Sequence, residues 1–311
     1  MPEAMPGDLV LRAGVAQAVL RPVAGGRVCS LRLQAPGGEA VPVLFPYEPA
    51  DVDPLRWAKG GIYPLLPYSN RIAQARLRTP VGEVALAPHP DAHPHTLHGN
   101  AHGLPWQATP DPHAPDTQAT MALESAPCAA WPWRYAARQH LRLEPTALHL
   151  ALEIVNHDER PMPAGLGWHP YLLHRPQALL GLRATTLWPT TEDFLATHAR
   201  ALQPEEGYAP PRPLRAGTLT DYLSGWDGAL RVDLPGGQVL SMQADAAVSH
   251  LVLHRPPDGR YLCVEPVTHV ADGFNLEAQG LAGTGTHWLE PGRSLRVTLG
   301  LRLQAAPPES S

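Results

Sequence analysis

The sequence predicts an all-β fold, a large antiparallel β-sandwich, and three observations predict it. Apolar residues recur at a period of two in segment after segment, the signature of strands with one face buried. Pro- and Gly-rich turns join these segments at short spacing. The chain also carries 37 prolines, which would interrupt most candidate helices by removing a backbone donor and clashing with the preceding turn.

The elements follow in order. Arg27 to Leu33 comes after Gly25-Gly26 and alternates Val28, Ser30 and Arg32 with Cys29, Leu31 and Leu33. Arg76 and Arg78 alternate along a further strand, and Asp111 to Asp116 is a Pro-containing loop. His140 to Val155 reads as a hairpin, with Leu141, Leu143, Leu148, Leu150, Leu152 and Ile154 alternating about the breaker Glu144-Pro145-Thr146. Gln203 to Arg215 is so rich in proline that it reads as a loop. Ala229 to Gln243 forms a hairpin turning at Pro235-Gly236-Gly237, and Ser249 to His254 pairs with Arg260 to Val264 through Pro256-Pro257-Asp258-Gly259. Ser294 to Gln304 presents Leu295, Val297, Leu299, Leu301 and Leu303 on one unbroken face, which marks a central strand. A length of 311 residues would allow about two domains. The even spread of strands instead predicts one, residues 1–304, followed by a frayed tail, 305–311.

Composition narrows the function. A net charge of -5, a pI near 6.3 and scattered arginines argue against nucleic acid or an anionic membrane as partner. Lys59 is the only lysine. The cysteines Cys29, Cys128 and Cys263 stand far apart, which speaks against a disulfide framework or a cysteine zinc site. Met1 to Leu11 lacks the basic start and apolar run of a signal peptide, and no stretch approaches ~18 uninterrupted apolar residues. A soluble, cytoplasmic protein is expected.

The residues suited to chemistry fall in five places. Gly165-Leu166-Gly167-Trp168-His169-Pro170-Tyr171-Leu172 holds His169 extended, because Pro170 pushes its predecessor out of the α region. Alone, such a histidine reads as structural; with partners, it is an aimed proton donor. Ile62 to Ile72 uses two prolines to present Asn70 and the Arg71 fork of donors. His89, His93, His95, His98 and His102 crowd one run, but Pro90, Pro94 and Gly99 deny the helix register that His-x-x-x-His metal binding needs. No metal is expected there, and one of the histidines is read as functional. Finally, Asp221, flanked by Leu219 and Tyr222, is the inward carboxylate of its segment, with Asp227 before Gly228 a turn residue. Glu265, ahead of Pro266 at a strand end, is either paired or a tuned base.

Four pieces in order, Pro67-Tyr68-Ser69-Asn70-Arg71-Ile72, Leu97-His98-Gly99 with Trp106, Gly167-Trp168-His169-Pro170-Tyr171, and Glu265-Pro266-Val267-Thr268 with Asn275, resemble the aldose 1-epimerase (galactose mutarotase-like) family. The resemblance spans nearly the whole chain. It implies a galactose mutarotase-like supersandwich and no cofactor, with His169 as general acid and Glu265 as general base. It also implies that Arg71, His98 and Asp221 bind sugar hydroxyls. Thr220-Asp221-Tyr222-Leu223 only approximates the family's short aspartate motif.

The implied reaction suits these residues. Interconverting the anomers of a free aldohexose such as glucose or galactose requires a proton removed from the C1 hydroxyl and one delivered to the ring oxygen. A neutral monosaccharide also accounts for polar fingers beside stacking faces such as Trp168 or Trp106. Two rivals stand beside this reading: a hexose-phosphate 1-epimerase, for which Arg71, Arg76 and Arg78 would have to converge, and a catalytically silent sugar-binding sandwich.

Overall fold

The computed structural model describes residues 4–48, 53, 59–215 and 217–307. Two large antiparallel sheets dominate it. In the first, the spatial order is Leu9–Ala13, Ala16–Arg21, Arg27–Gln34, Ile62–Leu65, Gly167–Leu173, Tyr261–Val267, His250–Arg255, Leu219–Ser224, Thr186–Trp188 and Arg200–Ala201. Ala40–Pro42 pairs off this path with Arg27–Gln34. The second runs Tyr208–Pro213, Leu179–Leu182, Ala229–Leu234, Gln238–Ala244, Ser294–Ala305, Ala147–Asn156, Tyr135–Glu144, Gln118–Ser125 and Gln107–Pro110.

The predicted hairpins form at the expected turns. Leu143 pairs with Leu148 across Pro145-Thr146, and Leu234 with Gln238 across the Pro-Gly-Gly turn. The strand ending at Ala305 lies fifth of the nine in its sheet, as its unbroken apolar face requires. One expectation fails: Gln203 to Arg215 is not all loop, because Tyr208–Pro213 pairs with Leu179–Leu182. It is the outermost strand, where proline's missing donor faces no neighbour. The expected tail overlaps that last strand at Ala305, and residues 308–311 lie outside the described part.

The core lies between the sheets. Leu251, Leu253, Leu262 and Val264 from the first sheet join Leu148, Leu150, Leu299 and Leu301 from the second in one buried cluster. Side chains alternate along a strand, so His254, Cys263 and Glu265 must point to the other face of the first sheet. That outward face carries a second cluster including Tyr63, Tyr171, Tyr222 and Val252. Helix is scarce; Gly273–Ala278 forms one short turn of it. No helix among the described residues is long and apolar enough to cross a membrane.

Candidate active site

Strand register brings the two expected proton carriers together. Gly167 pairs with Val267 and Tyr171 with Cys263, so His169 stands across from Glu265 on adjacent central strands. Their side chains meet with His169 Nε2 3.3 Å from Glu265 Oε1. Both are buried, and both lie on the wall of an open cavity of about 170 Å³ on the outward face. Gly167 permits the close approach, because a Cβ there would strike the Pro266 carbonyl. His169 packs against two tyrosine rings: Tyr171 at 4.5 Å between centroids with planes 15° apart, and Tyr63 at 4.9 Å and 23°.

Two loops supply the remaining polar groups. Asn70 and His98 both adopt positive φ, 57° and 60°, a strained conformation that a tight local bond network must hold. Such a network is present. The Asn70 amide donates to His98 Nδ1 at 3.0 Å, and the His98 amide donates to the Asn70 carbonyl at 2.7 Å. Asn70 Oδ1 accepts from the Arg71 amide at 3.0 Å, from its guanidinium at 3.3 Å and from the Tyr222 hydroxyl at 3.2 Å. Gly99, at φ 67°, lets this loop lie on the Leu66 carbonyl. Arg71 also stacks over Phe194 at 5.0 Å.

Burial sets the charges. It pushes Glu265 up to about 8, outweighing the opposite pull of Arg71 and Lys59. It drives His169 and His98 well below the usual imidazole value, helped at His169 by Lys59 and at His98 by His169. Near neutral pH the His169–Glu265 pair therefore carries one proton in total. The uncharged arrangement, with that proton on Glu265, is favoured by burial. Glu265 Oε2 and His169 Nδ1 are buried without a hydrogen-bond partner, which leaves hydrogen-bonding capacity unused at both groups.

His98, His169 and Glu265 place ligand atoms within 4.8 Å of one another, a grouping that could hold a metal by composition. The tautomer of His98 opposes this. Its Nδ1 lone pair already accepts the Asn70 amide, so in neutral imidazole the proton sits on Nε2, which becomes a donor instead of a metal ligand.

The structure thus assembles His169, Glu265, Asn70, Arg71 and His98 around one cavity but not the remaining expected residues. Asp221 lies on the core-facing side of Leu219–Ser224 with its carboxylate bonded to Arg215. Its neighbours Thr220 and Tyr222 line the cavity instead. Trp168, one residue from His169, is likewise turned inward; it is fully buried and donates to Gln139 Oε1 at 2.8 Å. Trp106 is buried and donates to the Ala101 carbonyl. Aromatic faces come from Tyr171, Tyr222, Tyr261 and Phe194. Asp227 caps the Ala229 amide in its turn, and Asn275 braces the Arg76–Thr79 strand. In the histidine run, His95 bonds Asp193 at 2.7 Å and the Gln74 amide at 2.9 Å. Lys59, Thr220 and His254 line the cavity without having been singled out in the sequence. Strand parity counted from Glu265 and Cys263 across the sheet would have found His254 and Thr220.

The chain is 26% identical over 251 residues to the uncharacterized protein YphB of Escherichia coli K12, which spans 78% of this chain and 83% of that one. Its fold matches a crystal structure from Escherichia coli K12, provisionally described as an aldose 1-epimerase, at a TM-score of 0.81 and 22% identity over 96% of this chain and 99% of that chain. A galactose mutarotase-like protein from Clostridium acetobutylicum matches at a TM-score of 0.82 and 15% identity, over 95% and 94% of the two chains. These structures share the supersandwich fold. The aldose 1-epimerase sequence pattern matches residues 9–302, and on that evidence the chain belongs to the aldose 1-epimerase family.

Proposed function

We propose that the protein interconverts the α and β anomers of a free aldose by acid–base ring opening and reclosure. The observation that carries this reading is the 3.3 Å contact between His169 and Glu265, buried at the base of a cavity lined by the further donors His98, Arg71 and Asn70. Ring opening needs one proton taken from the C1 hydroxyl and one given to the ring oxygen, with no net change in proton count. A pair holding one shared proton meets that need. Transfer of the proton from Glu265 to His169 creates the carboxylate base and the imidazolium acid. Glu265 then takes the hydroxyl proton while His169 protonates the ring oxygen. Rotation about C1–C2 and reversal of both transfers closes the ring on the other carbonyl face. Each positioned acid or base contributes ~10²- to 10⁴-fold. His98 Nε2–H, fixed by the Asn70 amide, and the Arg71 guanidinium serve as donors to sugar oxygens.

Polarimetry on freshly dissolved α-glucose and α-galactose tests the reading. Faster mutarotation with the protein than without it supports the proposal; an unaccelerated rate for every aldose tried, with folded protein, removes it.

A further inference from the structure

Strand register lays a second row of side chains beside the reacting pair. Cys263 pairs with Tyr171 on one side and His254 on the other, and His254 pairs with Thr220. All four line the cavity. Glu265 pairs with Val252, so His254 stands one strand over from Glu265 and two residues along, roughly 5 Å across the sheet and 7 Å along it. Its strand flanks Glu265 on the side away from His169. The Thr220 hydroxyl lies 2.9 Å from the Leu219 carbonyl and 2.9 Å from His254 Nδ1. It owns one proton. A carbonyl can only accept, so that proton goes to Leu219, and the imidazole completes the second contact by donating Nδ1–H to the hydroxyl oxygen. The Leu219 carbonyl also favours a proton on the ring. Burial, with Lys59 and Arg71 adding to it, holds His254 below the usual imidazole value, so the ring is neutral near pH 7. A neutral ring with its proton on Nδ1 carries a bare lone pair on Nε2. That nitrogen makes no hydrogen bond or ion pair among the described residues.

We propose that His254 Nε2 is a specificity-determining acceptor that takes a hydrogen bond from the C2 or C3 hydroxyl of the bound aldose. This rests on the epimerase reading above and names the edge of the sugar that the site reads. With the ring oxygen at His169 and the C1 hydroxyl at Glu265, C2 and C3 follow on the far side of C1, towards His250–Arg255. C5 and C6 lie beyond the ring oxygen, on the other side. His98 presents the opposite polarity, because the Asn70 amide on its Nδ1 leaves Nε2–H as a donor. The two cavity histidines outside the reacting pair that hold a fixed tautomer thus offer one donor and one acceptor. Hydroxyls suit both, since each can give and take a bond. A carboxylate or phosphate oxygen on that edge would meet a lone pair instead of a proton, so the recognised sugar keeps free hydroxyls there. A sugar lacking the bonded hydroxyl would cover Nε2 and leave it unpaired, which is how a polar site rejects a deoxy analogue.

The experiment takes whichever of glucose and galactose turns over faster, with its 2-deoxy, 3-deoxy and 6-deoxy analogues, and measures kcat/KM for mutarotation at pH 7 in the wild-type protein and in His254→Phe. The parent-to-deoxy ratio for the 2-deoxy or the 3-deoxy sugar should be ~10-fold higher in the wild type than in the variant, the scale of one hydrogen bond whose acceptor is left covered. The 6-deoxy ratio should be the same in both. Comparing ratios between the two proteins cancels the fraction folded and the intrinsic reactivity of each sugar. Ratios for the 2-deoxy and 3-deoxy sugars that do not differ between the proteins, or a difference confined to the 6-deoxy sugar, would overturn the assignment and leave the epimerase reading standing. Long-range nitrogen–proton correlation spectra of isotope-labelled protein, with His254 assigned by its missing signal in His254→Phe, read the tautomer directly. A protonated Nδ1 with a bare Nε2 supports the proposal, and a proton on Nε2 overturns it. No acceleration with any of these sugars would remove the epimerase reading and this assignment with it.

Discussion

Asn70 and His98 hold each other in place: each donates its backbone amide to the other residue, at 3.0 and 2.7 Å, while both sit in the left-handed region of backbone space. Neither conformation would persist alone, because each costs of order 1 kcal/mol or more for a non-glycine residue. Together they fix the His98 tautomer and aim Nε2–H into the cavity. Replacing His98 by Ala should therefore lower kcat/KM by ~10- to 100-fold, through KM and kcat together, since the donor and the Asn70 amide's acceptor vanish at once. Dialysis of the wild type against a strong chelator should leave the rate unchanged. A chelator-sensitive rate restored by zinc would contradict the tautomer assignment.

The shared proton of His169 and Glu265 predicts a bell-shaped pH profile for kcat/KM. Above about pH 8, where the raised Glu265 value lies, the pair loses its one proton and the rate falls. On the acid side a second proton must enter the pair, and burial holds His169 well below its ordinary value. The plateau should thus extend below pH 6.5, with apparent values belonging to the pair. His169→Asn should cost at least ~100-fold in turnover. Glu265→Gln should lose nearly all turnover yet still bind sugar by calorimetry; a raised KM with kcat intact would make Glu265 a binding group only.

Ring packing helps orient His169 beside its Nε2 contact with Glu265, since its Nδ1 has no partner and its ring packs against Tyr63 and Tyr171. Tyr171→Phe keeps the ring and should stay within a few-fold of wild type. Tyr171→Leu removes the flat neighbour at 4.5 Å and should cost ~10- to 100-fold in kcat, the scale of a small misplacement of a catalytic group. Equal rates for the two variants would show that stacking does not position the acid.

Acid should destabilise the fold through two buried histidines. Burial lowers His250 and His269 from 6.5 to about 4. His269 accepts the Ser69 amide on Nε2 at 3.1 Å and bonds the Val270 carbonyl through Nδ1 at 2.8 Å, so a second ring proton would face a donor. Their folded values lie below the unfolded one, so the stability they confer is complete above pH 6.5 and is lost as pH falls towards 4. The loss is on the order of 3 kcal/mol for each histidine. Urea midpoints at pH 7, 5.5 and 4 should decline in that order; a constant midpoint across this range would refute the assignment.

Most of the strands, the turns between them and the five segments that carry chemistry were legible in the sequence. Alternation, Pro/Gly placement and the backbone limits imposed at His169-Pro170 and Glu265-Pro266 are local properties. Which side chains of those segments share a cavity depended on long-range strand pairing. Strand parity is absolute, so once His169 and Glu265 face outward, Trp168 and Asp221 must face the core. The phase of Leu219–Ser224 is set by its pairing of Thr220 with His254 and Tyr222 with Val252, thirty or more residues distant, and no local pattern encodes that register. Tyr208–Pro213 escaped for the complementary reason: its composition is that of a loop, and its strand character comes from an edge position that asks for hydrogen bonds on one side alone.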